Sequence, residues 1–204
     1  LDFSTATSVS DILKRHVIDN DRCTFFAILA LGDNFYEDGV TSVGDEQWQT
    51  TWKDVWEPQV LALQWFPVLG NHDYHSGIDG AQAQVDRTTA TDDEEWQMPG
   101  RSYTTYFFSG RVAVVAIDTI ELAPLDMGEE TAGMYSDPTS AIRDVERELS
   151  NAFDQLNRNT NGGSSLLIVM GHYPVLSVGE HGDSPTLAQE LLPLFQRYAV
   201  DAYL

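Results

Sequence analysis

Six side chains in this sequence could hold a cation or move a proton: Asp33, Tyr36, Asn71, His72, His172 and His181. Most stand in short motifs that close an apolar run. Residues 24–30 form a continuous apolar stretch without helical period, read as a strand buried on both faces, and it ends in Leu31-Gly32-Asp33-Asn34-Phe35-Tyr36. Residues 65–69 end in Gly70-Asn71-His72-Asp73, and residues 166–170 end in Gly171-His172-Tyr173-Pro174. Ligands of open α/β sheets bind beyond the carboxyl ends of strands. A single Gly-Asp-Asn is ordinary turn chemistry, but three strands that end alike point to one shared site.

All six side chains offer oxygen or nitrogen and none offers a thiolate. Such a set suits hard or borderline cations, namely iron, manganese or zinc, rather than a zinc finger or copper(I). A carboxylate such as Asp33 can bridge two metals. The phenolate of Tyr36 selects iron(III), because a hard trivalent ion can displace a proton whose unperturbed pKa is about 10. Asp73 is read as a group that orients a neighbouring histidine or loop. His75 lies just beyond its motif, with a site role left open.

Several elements must position these groups. A helix is expected over 8–19, with Val9, Ile12, Leu13 and Val17 as its apolar stripe and His16 as a surface or packing residue. Residues 45–63 carry Trp48, Trp52 and Trp56 at helical spacing, interrupted at Pro58, an aromatic stripe expected in the core. A short helix is expected over 77–89, and the acidic run Asp92-Asp93-Glu94-Glu95 is read as a solvated loop. Two β segments, 102–108 and 112–118, flank a turn at Ser109-Gly110-Arg111. A long loop over 123–137 precedes the clearest helix, which opens at Asp137-Pro138 and repeats Ile142, Val145, Leu149, Phe153 and Leu156 up to Asn161-Gly162-Gly163. A helix over 186–198 and a strand over 199–204 complete the order. Strands alternating with helices around a central β pair place the chain in the α/β class.

With 204 residues and 42% hydrophobic composition, one domain with a sizeable core is expected. Acidic residues outnumber basic ones 32 to 11, for a formal charge of -21. Nucleic acid and anionic membrane surfaces are therefore disfavoured as partners. An anionic substrate would need positive charge from bound cations instead. Cys23 is the sole cysteine and is read as a small core residue.

Gly32-Asp33-Asn34-Phe35-Tyr36, Gly70-Asn71-His72-Asp73, Gly171-His172-Tyr173-Pro174 and Glu180-His181-Gly182 resemble, in order and spacing, the motifs of the purple acid phosphatases, most nearly the small animal form. The specific part is the tyrosine three residues after the bridging aspartate. The resemblance implies a metallophosphoesterase-type α/β/β/α sandwich over residues 1–204, truncated at both ends. It implies that Asp33 bridges iron(III) and a divalent ion (iron, zinc or manganese), that Tyr36 binds the iron and gives a purple charge-transfer band, and that Asn71 and His172 bind the divalent ion. His72 and His181 would hold the phosphate and protonate the leaving alkoxide. The implied reaction is hydrolysis of small phosphate monoesters at acidic pH, with metal-bound hydroxide attacking phosphorus. A secreted or lysosome-like destination is implied by the resemblance alone.

Two family motifs are missing: an initial Gly-Asp-x-Gly and a final Gly-His-x-His. Without them iron(III) would keep only Asp33 and Tyr36, and the divalent ion only Asp33, Asn71 and His172. The expectation is a fragment of a longer protein that, expressed alone, is colourless, inactive and poorly soluble. The animal form also joins two loops by a disulfide where Ala123 and Thr186 stand here, which implies a freer loop over 123–137. A phosphodiesterase of the same superfamily and a non-catalytic phosphate- or metal-binding protein are the alternatives.

Overall fold

The computed structural model describes residues 26–124, 138–160, 163–179 and 182–204. The expected first helix, Cys23, His181 and most of the 123–137 loop lie outside the described residues. The chain is mixed α/β, with parallel and antiparallel strand pairs. It divides into two compact units. One comprises the described residues up to Pro67 together with Asn71–Pro99, and the other comprises Val68–Gly70 and the described residues from Gly100 to Leu204.

In the first unit, β1 (Ala27–Ala30) pairs in parallel with β2 (Gln64–Pro67), Ala27 opposite Gln64 and Ala30 opposite Pro67. Parallel pairing puts the segments after both strands at the same end of the ladder, and those segments are the Gly32 turn and the approach to Asn71. β1 is only half-buried along its length, in contrast to the strand buried on both faces that its apolar run predicts. Among the described residues β2 is the one strand it pairs with. On the outer side of β2, the Trp65 N–H donates to the Glu95 carbonyl and the Gln97 N–H to the Trp65 carbonyl.

Two strands bury little by themselves, and the mass of this unit's core is aromatic. Phe35, Trp48, Trp52, Trp65 and Trp96 are all buried. Trp48 meets Trp96 edge-on at 5.0 Å, Trp52 meets Trp96 at 5.2 Å, and Phe35 meets Trp48 at 4.6 Å. Such edge-to-face pairs add about 0.5–1.5 kcal/mol each beyond the area they bury. Of the tryptophan stripe Trp48 and Trp52 are thus core, as their spacing suggests, while Trp56 is half-buried against Trp65, and the three do not lie along one continuous helix. Trp48–Lys53 is a short π-helical turn and α1 (Pro58–Leu61) restarts after Glu57. α2 (Ile78–Ala90) then turns Ala81, Ala83, Gln84 and Arg87 inward.

In the acidic run Asp92 and Glu94 are exposed, as expected of a solvated loop, but Asp93 departs from it. Asp93 pairs with both Lys53 and Arg87. Arg87 also donates to the Val43 carbonyl and lies over the Trp48 ring, 4.6 Å from its centroid. Burial pushes the Asp93 carboxyl up, but the hydrogen bonds and charges of Lys53 and Arg87 outweigh it and hold the group below the ordinary 3.8. A carboxyl depressed in the folded state contributes stability that is fully present above its unfolded pKa and is lost as pH falls through the folded one. Asp93→Asn should therefore lower stability at pH 5–7 by about 2 kcal/mol, since it strips a partner from the buried Arg87 and the half-buried Lys53. It should also flatten the decline in stability below about pH 4. Urea unfolding of parent and variant between pH 3 and 7 checks both, and parallel curves would contradict the assignment.

The second unit holds a four-stranded sheet in the order β3 (Tyr103–Phe107), β4 (Val112–Ala116), β5 (Leu166–Met170), β6 (Ala202–Tyr203). β3 and β4 form the expected hairpin, and β4–β5–β6 are parallel. The short α3 (Thr119–Leu122) is capped by Asp118, whose carboxylate accepts from the Ile120 and Glu121 N–H groups. On α4 (Pro138–Thr160) the residues Val145, Leu149, Ala152 and Leu156 are buried, with Ile142 and Phe153 packed partly against the same core. α5 (Pro185–Arg197) adds Leu187, Leu191 and Leu194. The core of this unit lies between those helical stripes and Ala113, Val115, Leu167 and Val169 of the sheet.

Candidate functional site

Asp33 comes after the Gly32 turn with a positive φ of 50° and is nearly buried. Asp is among the few side chains that tolerate this left-handed conformation. The carboxylate is then held from two sides. Its Oδ2 accepts from the Tyr36 hydroxyl at 2.5 Å, and its Oδ1 accepts from the His72 backbone N–H at 3.1 Å. The turn after β1 and the segment after β2 thus meet at one carboxylate, as the parallel pairing predicts.

Asp73 holds the turn in place. It is fully buried. Its two oxygens accept from the Asn34 N–H at 3.0 and 3.1 Å, the Phe35 N–H at 3.2 Å, Asn34 Nδ2 at 3.3 Å and Gln84 Nε2 at 2.9 Å. Gln84 Oε1 in turn accepts from Asn34 Nδ2 at 3.1 Å. Asp73 therefore orients the loop, one of the two roles its position suggests. Gln84 belongs to no motif in the sequence, and the signal for it is a polar side chain on the apolar face of α2.

The His72 ring lies 4.2 Å from that of Tyr36, and its Nδ1 is 2.6 Å from the Glu37 carbonyl oxygen. An Nδ1–H donated to that carbonyl leaves Nε2 as the ring atom for other work. His75 packs against His72 at 4.6 Å, with its Nδ1 3.2 Å from the same carbonyl and 3.6 Å from Asp38 Oδ1. His75 thus joins this imidazole cluster. Asn71 is half-buried immediately ahead of the 3-10 turn His72–Tyr74.

His172 belongs to the second unit, where it comes after β5 and Gly171, half-buried, with its ring 4.9 Å from that of Tyr173. The Tyr173 N–H donates to Thr119 Oγ1 at 3.1 Å, and the Tyr203 hydroxyl donates to the Tyr173 carbonyl at 2.7 Å. Of the six predicted residues the structure gathers Asp33, Tyr36, Asn71 and His72 into one unit and carries His172 on the other.

The donor chemistry in the first unit fits a hard cation. A phenol oxygen and a carboxylate oxygen already converge at hydrogen-bond distance. Among the described residues no group of three or more His, Cys, Asp or Glu side chains clusters as a metal-holding set. Two of the four expected ligands, Tyr36 and Asn71, are of other types.

Comparison with known proteins gives the chain a family. The family model described as calcineurin-like phosphoesterase covers residues 7–204, and the chain belongs to that family. Within it the chain sides with the purple acid phosphatases. It is 34% identical over 186 residues to tartrate-resistant acid phosphatase type 5 of Oryctolagus cuniculus and 32% identical to that of Homo sapiens, in each case over 87% of this chain and 53% of the relative. It is 25% identical to purple acid phosphatase 7 of Arabidopsis thaliana, over 87% of this chain and 52% of the relative. The chain spans about half the length of these relatives. A solved structure, "GAP50 the anchor in the inner membrane complex of Plasmodium", superposes with a TM-score of 0.71 and 27% identity over 97% of this chain and 60% of the other. The family resemblance and the α/β class expected from the motifs are both borne out. Among the described residues no helix is long and apolar enough to cross a membrane.

Proposed function

We propose that the protein carrying this chain hydrolyses small phosphate monoesters at acidic pH with an iron(III) and a divalent ion, and that residues 1–204 form one metallophosphoesterase domain. The observation that carries the reading is the Tyr36 hydroxyl at 2.5 Å from Asp33 Oδ2, with the carboxylate fixed from its other side by the His72 N–H. Relatives named as acid phosphatases support it.

In this reading, which carries the family's pattern over residue by residue, Asp33 would be shared by the two ions, Tyr36 would hold iron(III), and Asn71 and His172 would hold the divalent ion, which is iron, zinc or manganese. When bound, the ions supply positive charge for an anionic substrate and acidify a water. Every other task falls to side chains. With Nδ1 committed to the Glu37 carbonyl, His72 offers Nε2 to a phosphate oxygen or to the leaving alkoxide. His181 shares that role by resemblance. Asp73 and Gln84 keep the Asp33 turn preorganised, so the site is not rebuilt on each binding event.

A second reading, a non-catalytic binding protein, draws on the structural likeness to a protein described as an anchor. The test is turnover by the full-length protein, loaded with iron and zinc, on an aryl phosphate and on a bis-aryl phosphate at pH 5. Preference for the monoester is expected. Preference for the diester would transfer the assignment to a phosphodiesterase, and no turnover of either would favour the binding protein.

A further inference from the structure

We propose that Tyr203 and Thr119 are positioning residues that clamp the backbone on either side of His172 and thereby set its imidazole. The proposal rests on the reading of His172 as a ligand of the divalent ion.

The two side chains come from different elements, β6 and the first turn of α3, and enclose the same three residues. Ahead of His172, they close on Gly171. A Cβ built there would stand 2.5 Å from Tyr203 Oη and 2.7 Å from Thr119 Cγ2, so any residue larger than glycine would push one or both side chains away. After His172, the same two residues take both polar groups of the Tyr173 backbone. Thr119 Oγ1 accepts from its N–H at 3.1 Å and the Tyr203 hydroxyl donates to its carbonyl at 2.7 Å. The Gly171 N–H is bound in turn to the Leu204 carbonyl at 3.1 Å. A histidine between two peptides held so closely has little backbone freedom, and its ring can search only its own rotamers.

Tyr203 is suited to a permanent donor role. Burial raises its phenol well above the ordinary value near 10, so it keeps its proton at any working pH. Its ring also packs 5.6 Å from Phe195, which means that a phenylalanine would preserve the packing and remove only the hydrogen bond.

The decisive measurement is zinc affinity of the full-length protein by competition with a chromophoric chelator, alongside thermal melts and the visible spectrum. Tyr203→Phe and Thr119→Val should each weaken zinc binding by about tenfold to a hundredfold, the range for groups that orient a metal ligand. Thr119→Ser should restore it, and the iron(III) band should be unchanged throughout. A merely structural role would lower the melting temperature and leave zinc affinity at the parent value, which would overturn the proposal. His172→Ala is the reference. If it too binds zinc like the parent, the ligand assignment fails and the clamp's role fails with it. If only His172→Ala loses zinc, the clamp alone is wrong.

Discussion

Asp73→Ala should destabilise the protein by about 4 kcal/mol, enough to leave a marginally stable chain substantially unfolded. The side chain is completely buried and accepts from two backbone N–H groups and two side-chain amides. Removing an acceptor from buried donors costs their desolvation, about 1–3 kcal/mol for each group that finds no substitute. Partial relaxation keeps the total below the simple sum. Asp73→Asn retains one carbonyl oxygen but turns an amide toward donors, so an intermediate loss of about 2–3 kcal/mol is expected. Urea unfolding, monitored by fluorescence of the tryptophan cluster, reports both variants. An alanine variant that unfolds at the parent midpoint would show that the turn does not depend on this residue.

Tyr36→Phe should abolish the visible colour of the iron-loaded, full-length protein and reduce turnover at least about a hundredfold, while costing little stability. The variant loses one oxygen, and with it both the hydrogen bond to Asp33 and the phenolate proposed to hold iron(III). A half-exposed neutral-to-carboxylate hydrogen bond contributes about 1–2 kcal/mol to folding, so the fold should survive. Absorption spectra with matched iron content separate loss of colour from loss of metal. Colour that persists in a folded, iron-containing variant would refute the role given to Tyr36.

Much of the candidate site is legible in the sequence because its chemistry is local. Gly32 and Gly70 each punctuate an apolar run, and the parallel pairing of β1 with β2 brings Asp33 and His72, a few residues beyond those glycines, to the same end of the ladder. The long helix α4 is equally plain, since its apolar period persists over many turns. Where partners lie far apart in sequence, the pattern misleads. Asp93 reads as solvated because Lys53, forty residues away, and Arg87 cannot be assigned to it from spacing. The stretch 45–63 promises a helix, but its tryptophans serve an aromatic cluster with Phe35, Trp65 and Trp96, and tertiary packing overrides the period. Gln84 leaves no trace as a site residue because a single polar position on a helix carries no motif.

The triangle of Asn34, Asp73 and Gln84 has a consequence for how such a sequence can change over time. Each pair among the three is matched donor to acceptor, and the three belong to separate segments: the Asp33 turn, the 3-10 turn and α2. A substitution at one corner leaves the other two still paired with each other but takes one hydrogen bond from each, in a place where Asp73 and Gln84 are fully buried. These positions should drift through evolution as one inherited character, and that linkage protects the turn in addition to what Asp33 contributes through its own tolerance of a positive φ.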